Sequence, residues 1–499
     1  EYPSILAIHA AVLARKAGRT VKVVYERDED VAATTKRHPS IVRHRLGLDR
    51  DGTFLAADVD VALDGGAYAT LSAVVLSRGV LHAPGPYRIP HVRVAGRVVA
   101  TNHPPHGAFR GFGAPQTTFA YERQVQKAAR RLGIDPFELR RQNRLRPGDS
   151  TATGQALVDS VGSAEVLGAV ERAWALPSPY RRDHAVPDGR RRGRGLAFYF
   201  HGAGFTGSGE ARLAGRATVA ATAGGFEIRS SSTDIGQGTL TTFVQIAADA
   251  LGVGAVDVRF GEARTGRDPD SGPTVASRTC MIVGRLVQDA AGEVRERLTA
   301  GGRERGRDVT DPVAGARARA ALEGELAVTR TYAPPAGIRW DDDAYRGDAY
   351  PVYGWAACAV EVAVDPDTLE VEIERCVQAV DVGKAIHPTI VLGQIDGGAV
   401  QAFGWALWES VQYREGRVAN DRMTSCIIPT AIEAPEMETS LVEVPYPHGP
   451  DGAKGVGEIP IDGPAAAVAG AIEDALGLAA DELPLLPEVL ERLAREVRP

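Results

Sequence analysis

The sequence predicts an α+β protein of two large mixed domains, and three observations carry that prediction. Runs with strand-like alternation recur around turn dipeptides, and runs with helical periodicity separate them. A Pro-rich, then Arg/Gly-rich stretch from Pro177 to Gly195 interrupts both and reads as an exposed linker. A chain of 499 residues is too long for one ordinary core, so the division expected is 1–176 and 177–499.

The elements follow in order. An amphipathic pattern (Ile5, Leu6, Ile8, Val12, Leu13) ends at Lys16 and Gly18. A chain rarely starts inside a packed element, so the natural protein is expected to extend upstream of Glu1, with any targeting segment there; the other end reads as complete. Val21 and Val23, then Val59, Val61 and Leu63, alternate as strands do, with Asp51-Gly52 as a hairpin turn before the second run. Helical patterns span 116–132 and 163–174. Past the linker, strands are expected around Leu196–Phe200, Ala217–Ala221 and Phe226–Ser230, and helices near 239–251 and 275–299. Alternation returns at Ala357–Val364 and Leu369–Val377 around Pro366-Asp367, and a long apolar helix begins near Pro388. Hairpins with intervening helices favour α+β over a doubly wound parallel sheet.

Composition bounds the function. Hydrophobic residues at 44% and charged residues at 24% exclude disorder and coiled coil. No apolar run reaches the roughly 18 residues of a membrane span, because the stretch around Ala465 is broken by Glu473 and Asp474. A net charge of −7 supplies no basic field for nucleic acid. The four cysteines (Cys280, Cys358, Cys376, Cys426) have neither zinc nor iron-sulfur spacing and read as buried thiols of a reducing compartment, the cytoplasm.

Glycine is in excess, 56 residues against a usual level of roughly 7%, and clusters in GAFRGFGAPQ (Gly107–Gln116), DIGQG (Asp234–Gly238) and GAKGVGEIP (Gly452–Pro460). Such loops bring backbone close to a ligand, and amides at a following helix start suit anionic groups. None is a P-loop or Rossmann fingerprint. Each carries a residue that a glycine turn does not need: Arg110, Gln237, Lys454, Glu458. Arg110 offers a fork for a phosphate or oxo group, and Phe112 a flat apolar face. Glu458, between Gly457 and Ile459-Pro460, is expected to have a raised pKa and to serve as a base.

With DIGQGTLTTFVQIAADALG, GPTVAS, GQIDGGAVQAFGWALWE and GAKGVGEIP following GAFRGFGAPQ in order, the chain resembles the molybdopterin-binding large subunit of the xanthine dehydrogenase and aldehyde oxidase family. The resemblance implies a water-derived hydroxylation of a purine or related N-heterocycle, with aldehyde oxidation to carboxylate as the near alternative. A subunit that only docks with partners is the alternative of another class. Implied cofactors are a molybdenum-pterin in its cytosine dinucleotide form here, the metal held by the pterin dithiolene and by no side chain. Implied partners are a [2Fe-2S] small subunit and an FAD medium subunit, in a dimer of heterotrimers.

Residue by residue, Glu458 matches the catalytic glutamate, the base that makes the oxygen nucleophile. Gly236, Gln237 and Gly238 match a pterin-binding segment; Arg110, Phe112 and Ala276 match positions lining the molybdenum centre, and Gln394 falls in another cofactor segment. On the substrate side the matches are Glu1 and Arg78, facing a purine, and Phe112 and Phe205, holding it between their rings, with Thr206 beside the second. The match starts at the glutamate that follows the family's GGFGGK-type loop, so that loop and an earlier cofactor glutamine have no counterpart. HGAGFTGSG is richer in glycine than animal xanthine enzymes, which widens the expected pocket.

Overall fold

The computed structural model describes residues 3–175, 189–304 and 310–497. Its largest core surrounds a four-stranded sheet ordered Met437–Val442, Val371–Asp381, Val352–Val364, Arg191–Ala203. The pair Val352–Val364 and Val371–Asp381 is the antiparallel hairpin expected around Pro366-Asp367, while Met437–Val442 joins in parallel after the helix Pro388–Leu407. Val352–Val364 is buried at every position, which explains its near-continuous apolar run, VYGWAACAVEVAV.

Two smaller sheets flank this core. In the first, Phe54–Gly66 lies between Ser40–Leu48, antiparallel, and His91–Ala100, parallel. The second is ordered Val258–Phe260, Gly225–Arg229, Arg216–Thr222, Leu326–Thr331 and is covered by the helices Thr239–Leu251, Gly284–Glu304 and Pro312–Glu323. Sheets and helices are mixed throughout, so the α+β expectation holds. No helix among the described residues is long and apolar enough to cross a membrane.

Three expectations change. Residues 20–26, read as a strand at Val21 and Val23, form no regular element: alternate residues are half-buried, but no strand pairs with them. The helix expected from 275 starts at Thr279, because Ala276 and Ser277 hold left-handed backbone (φ 56 and 51) that an α-helix does not accommodate. The linker reading of Pro177–Gly195 falls mainly outside the described residues, but Arg191–Gly195 are the start of the strand Arg191–Ala203. Their glycines serve packing: a Cβ on Gly193 or Gly195 would overlap the backbone of the helix Pro464–Leu476, at Ala471 and Ala467.

The helix Ala114–Leu132 is fastened to that strand by a buried ion pair. Glu122 accepts from Arg140 Nε (3.0 Å) and Nη2 (2.8 Å), from the Phe198 amide (2.9 Å) and from the Tyr87 hydroxyl, and Arg140 Nη2 also donates to the Leu196 carbonyl at 2.8 Å. Both side chains are fully buried. Glu122→Ala leaves a buried guanidinium unpaired and is expected to cost about 3–5 kcal/mol, read from urea unfolding. A loss under about 1 kcal/mol would place the docking energy elsewhere.

Candidate active site

Five segments converge on a cavity of about 710 Å³ between the core sheet and the Thr239–Leu251 helix layer. They are the loop before Ala114–Leu132, DIGQG before Thr239–Leu251, residues 274–280, the start of Pro388–Leu407, and GAKGVGE. Of the residues expected at a site, Arg110, Phe112, Gly236, Gln237, Ala276, Gln394 and Glu458 line this one cavity. Gly238 caps the helix beside them with φ 82, and a Cβ there would collide with Ile390. Arg78, Phe205 and Thr206 lie outside its lining, and Glu1 lies outside the described residues.

The chain is folded tightly at this point for physical reasons. A Cβ on Gly455 would overlap the Ser277 carbonyl, so only glycine lets GAKGVGE close on residues 274–278. Phe112, Ala276 and Ser277 all hold positive φ (52, 56 and 51), strain that clusters at ligand sites. The starts of the helices Thr239–Leu251 and Pro388–Leu407, with Thr279 opening a third helical run, face the cavity and favour anionic groups. Phe112, Val275, Ile386, Ile390 and Val456 add apolar wall.

Arg110 lines the cavity and also holds its walls together. Its Nε donates to the Gly457 carbonyl (2.6 Å) and its Nη2 to the Gln394 carbonyl (2.9 Å), so it ties three of the five segments together. Arg37 braces it, donating to the Arg110 carbonyl at 2.8 Å from between the Phe109 and Trp405 rings. Gln237 folds onto its own loop, donating to the Thr233 carbonyl (2.7 Å) and accepting from the Ile235 amide (2.7 Å). Lys454 is structural: its buried ammonium meets Asp381 (2.5 Å) and the carbonyls of Ser160 (2.8 Å) and Tyr353 (3.0 Å).

Glu458 lines the cavity, and its setting reverses the expected pKa. Burial opposes its ionisation, but the His201 hydrogen bond, the nearby Arg78 guanidinium and Ser277 outweigh burial and hold the carboxyl at about 2. The apolar chain neighbours that suggested a raised value, Ile459 and Pro460, are not what the carboxylate faces. His201 Nε2 is 3.2 Å from Glu458 Oε2, and its Nδ1 is 2.7 Å from Asp462 Oδ2. Ser277 Oγ donates to Oε2 at 3.3 Å and accepts from the Glu458 amide at 3.1 Å.

Arg78 completes the cluster. Its Nη1 lies 2.8 Å from His201 Nε2 and donates to the Gly202 carbonyl (2.7 Å), while Nη2 donates to the Gly204 carbonyl (2.7 Å). Both terminal nitrogens thus hold the guanidinium in place beside His201 and the Gly202–Gly204 backbone. The carbonyls it grips precede Phe205 and Thr206, whose hydroxyl meets Tyr350 OH at 2.9 Å. His82 holds Gly202 from the other side, donating from Nδ1 to the Arg78 carbonyl and accepting the Gly202 amide at Nε2.

Arg78 Nη1 is always a donor and at 2.8 Å favours a lone pair on His201 Nε2, whereas Asp462 and Glu458 favour a proton on the ring, so the four groups titrate as one coupled cluster. Burial alone disfavours the imidazolium, but Asp462 and Glu458 overcome it and raise His201 above 6.5. Burial likewise lifts Asp462 to about 6 against the pull of His201. Sequence reasoning missed His201 and Asp462. Their signals were a lone histidine in the apolar strand LAFYFHGA and a second carboxylate one helical turn after Glu458.

The cavity thus combines helix N-termini, apolar wall and an ionised carboxylate, a setting that suits a bound anionic group. The sequence matches the molybdopterin cofactor-binding domain over residues 175–435 and again over 2–144. It is 34% identical over 501 residues to a probable xanthine dehydrogenase subunit of Bacillus subtilis (strain 168), covering 98% of this chain and 66% of that protein. The structure is similar to the aldehyde oxidoreductase of Desulfovibrio desulfuricans (TM-score 0.85, 30% identity, 97% of this chain and 52% of that one). It is also similar to the quinoline 2-oxidoreductase of Pseudomonas putida 86 (TM-score 0.84, 28% identity, 98% and 66%). The chain belongs to the molybdopterin cofactor-binding family of xanthine dehydrogenase and aldehyde oxidase type. It spans 66% of the length of the Bacillus subtilis relative and 33% of that of a nicotinate hydroxylase of Emericella nidulans.

The His201 proton has a measurable consequence. A group whose folded pKa is raised contributes stability that is complete below its unfolded value, 6.5, and is lost as pH rises through the higher folded value. The loss in melting temperature caused by His201→Gln is therefore expected to be larger at about pH 6 than at about pH 9. Melts of both proteins at the two pH values check this, and a loss that grows toward alkaline pH contradicts the imidazolium assignment.

Proposed function

We propose that this chain is the cofactor-bearing catalytic subunit of a molybdenum hydroxylase that oxidises an N-heterocycle such as a purine, with water as the oxygen source. The observation that carries the proposal is Glu458: a fixed, ionised carboxylate in the wall of the cavity on which the five segments converge. The molybdenum-pterin, when bound, supplies the two-electron redox centre. Arg110, Phe112, Gly236, Gln237, Gly238, Ala276 and Gln394 are the residues proposed to hold it.

Glu458 then accepts the proton of the water-derived nucleophile at its carboxylate. A carboxyl held at about 2 is a weak base in bulk water, so its value lies in being unprotonated at every physiological pH and fixed in direction. His201 and Ser277 both act on Oε2, which leaves Oε1 as the oxygen proposed to take the proton. Arg78 adds positive charge where negative charge develops on a heterocycle, and this favours the transition state over the ground state. Phe205 and Thr206, set on the loop that Arg78 grips, are proposed as the outer wall of the substrate site with Phe112 and Glu1.

The division at 1–176 and 177–499 and a cytoplasmic location, read from the linker composition and the cysteines, complete this reading with the cytosine dinucleotide form and the dimer of heterotrimers, which the resemblance implies. Separate [2Fe-2S] and FAD subunits would carry the electrons away. Relatives named as the molybdenum-binding subunit of a xanthine dehydrogenase and the large subunit of a nicotine 6-hydroxylase support an assembly of several chains. The second reading, aldehyde oxidation, is favoured by the similarity to aldehyde oxidoreductases.

Glu458→Gln in the cofactor-loaded assembly is expected to keep molybdenum and lose turnover by several orders of magnitude, measured as kcat beside metal content. Near-normal kcat with full metal loading removes Glu458 from the reaction. For the unmodified assembly, kcat/KM for hypoxanthine is expected to exceed that for benzaldehyde by roughly a hundredfold, the worth of one charge contact. Faster aldehyde turnover would select the second reading.

A further inference from the structure

We propose that Asp64, His103 and His106 form a binding site for a divalent transition-metal ion such as Zn²⁺, separate from the cofactor cavity. Asp64 stands near the end of the strand Phe54–Gly66, and the loop after His91–Ala100 returns His103 and His106 to it. One potential ligand atom from each of the three lies within 4.8 Å of the others. One carboxylate and two imidazoles are the donor set of zinc-type sites, whereas Mg²⁺ and Ca²⁺ take mainly oxygen ligands.

The carboxylate is aimed by its surroundings. Asp64 Oδ1 accepts from Thr101 Oγ1 (2.7 Å) and from the Gly66 amide (2.8 Å), leaving Oδ2 to face both rings. Oδ2 is 2.7 Å from His103 Nδ1 and 3.8 Å from His106 Nε2. The first distance is a hydrogen bond, in which a metal would replace the shared proton. The second is too long for one. It is close to the separation of about 3.4 Å between two ligands of a tetrahedral ion with bonds of roughly 2.1 Å.

His106 is the independent observation. Its side chain is 0% exposed, and neither ring nitrogen has a hydrogen-bond partner. An imidazole always presents a donor or an acceptor at each nitrogen, and leaving such a group buried and unmet costs about 1–3 kcal/mol. An ion in front of Nε2 removes that cost at Nε2. Tyr413 fixes both ring planes, stacking on His103 at 4.5 Å (18°) and meeting His106 edge-on at 5.6 Å (82°). His38 closes the far side with its ring 5.9 Å from that of His106, its Nε2 tied to Ser72 Oγ at 2.8 Å. His103 is half-buried, which leaves a path for the ion and a position for water as a further ligand.

The test uses the purified full chain, stripped with a chelator and dialysed against Zn²⁺, with Co²⁺ as the spectroscopic probe. One Zn²⁺ per chain and visible Co²⁺ absorption of a low-symmetry site are expected, and both His106→Asn and His103→Asn should weaken binding by at least about tenfold. His9→Asn, an exposed histidine elsewhere, should bind as the unmodified chain does. Circular dichroism checks folding, and if His106→Asn does not fold, the half-exposed His103→Asn carries the decision. Binding no stronger than that of the His103→Asn protein, or no Zn²⁺ retained by the unmodified chain, overturns the site and leaves Asp64–His103 as a hydrogen-bonded pair.

Discussion

Arg78, His201, Glu458 and Asp462 are all buried, and none could stay charged there alone, because a lone ion in a low-dielectric interior carries a penalty of several kcal/mol. Each is tolerable only because the others are in place. Arg78 comes from the helix Ser72–His82, His201 from the strand Arg191–Ala203, and the two carboxylates from the turn before Pro464–Leu476. Three elements distant in sequence are thus forced into one arrangement by charge balance. The cavity, the orientation of Glu458 and the loop carrying Phe205 all follow from it.

Around that centre the backbone is drawn in by glycine and by Arg110. Gly455 against Ser277, and Gly238 against Ile390, leave no room for side chains where the five segments meet. Arg110 reaches the carbonyls of Gly457 and Gln394. The cofactor cradle is therefore mostly backbone, with helix starts supplying the field and a few side chains fixing direction. Such a cradle is preorganised, and the positive φ at Phe112, Ala276 and Ser277 is part of its cost.

The sequence made the long, periodic elements legible, because burial on one face writes itself as alternation or as a helical stripe. The helix 239–251, the hairpin around Pro366-Asp367 and the three glycine loops are in place as read. What stayed hidden depended on contacts between distant residues. Gly193 and Gly195 look like linker residues until the helix Pro464–Leu476 is laid over them. The Glu458 pKa could not be inferred from Ile459 and Pro460, since its partners lie far along the chain. His201, Asp462 and Arg37 gave weak local signals for the same reason, and Lys454 read as a ligand residue although it neutralises Asp381.

The central claim is that one cavity holds the cofactor and that Glu458 stands at its reacting end. Anomalous diffraction at the molybdenum edge from crystals of the cofactor-loaded assembly tests it most directly. The account predicts a single molybdenum peak in this chain, between Phe112 and Ala276 and facing the Glu458 carboxylate. A peak outside the cavity, or one inside it that does not face the Glu458 carboxylate, would contradict it.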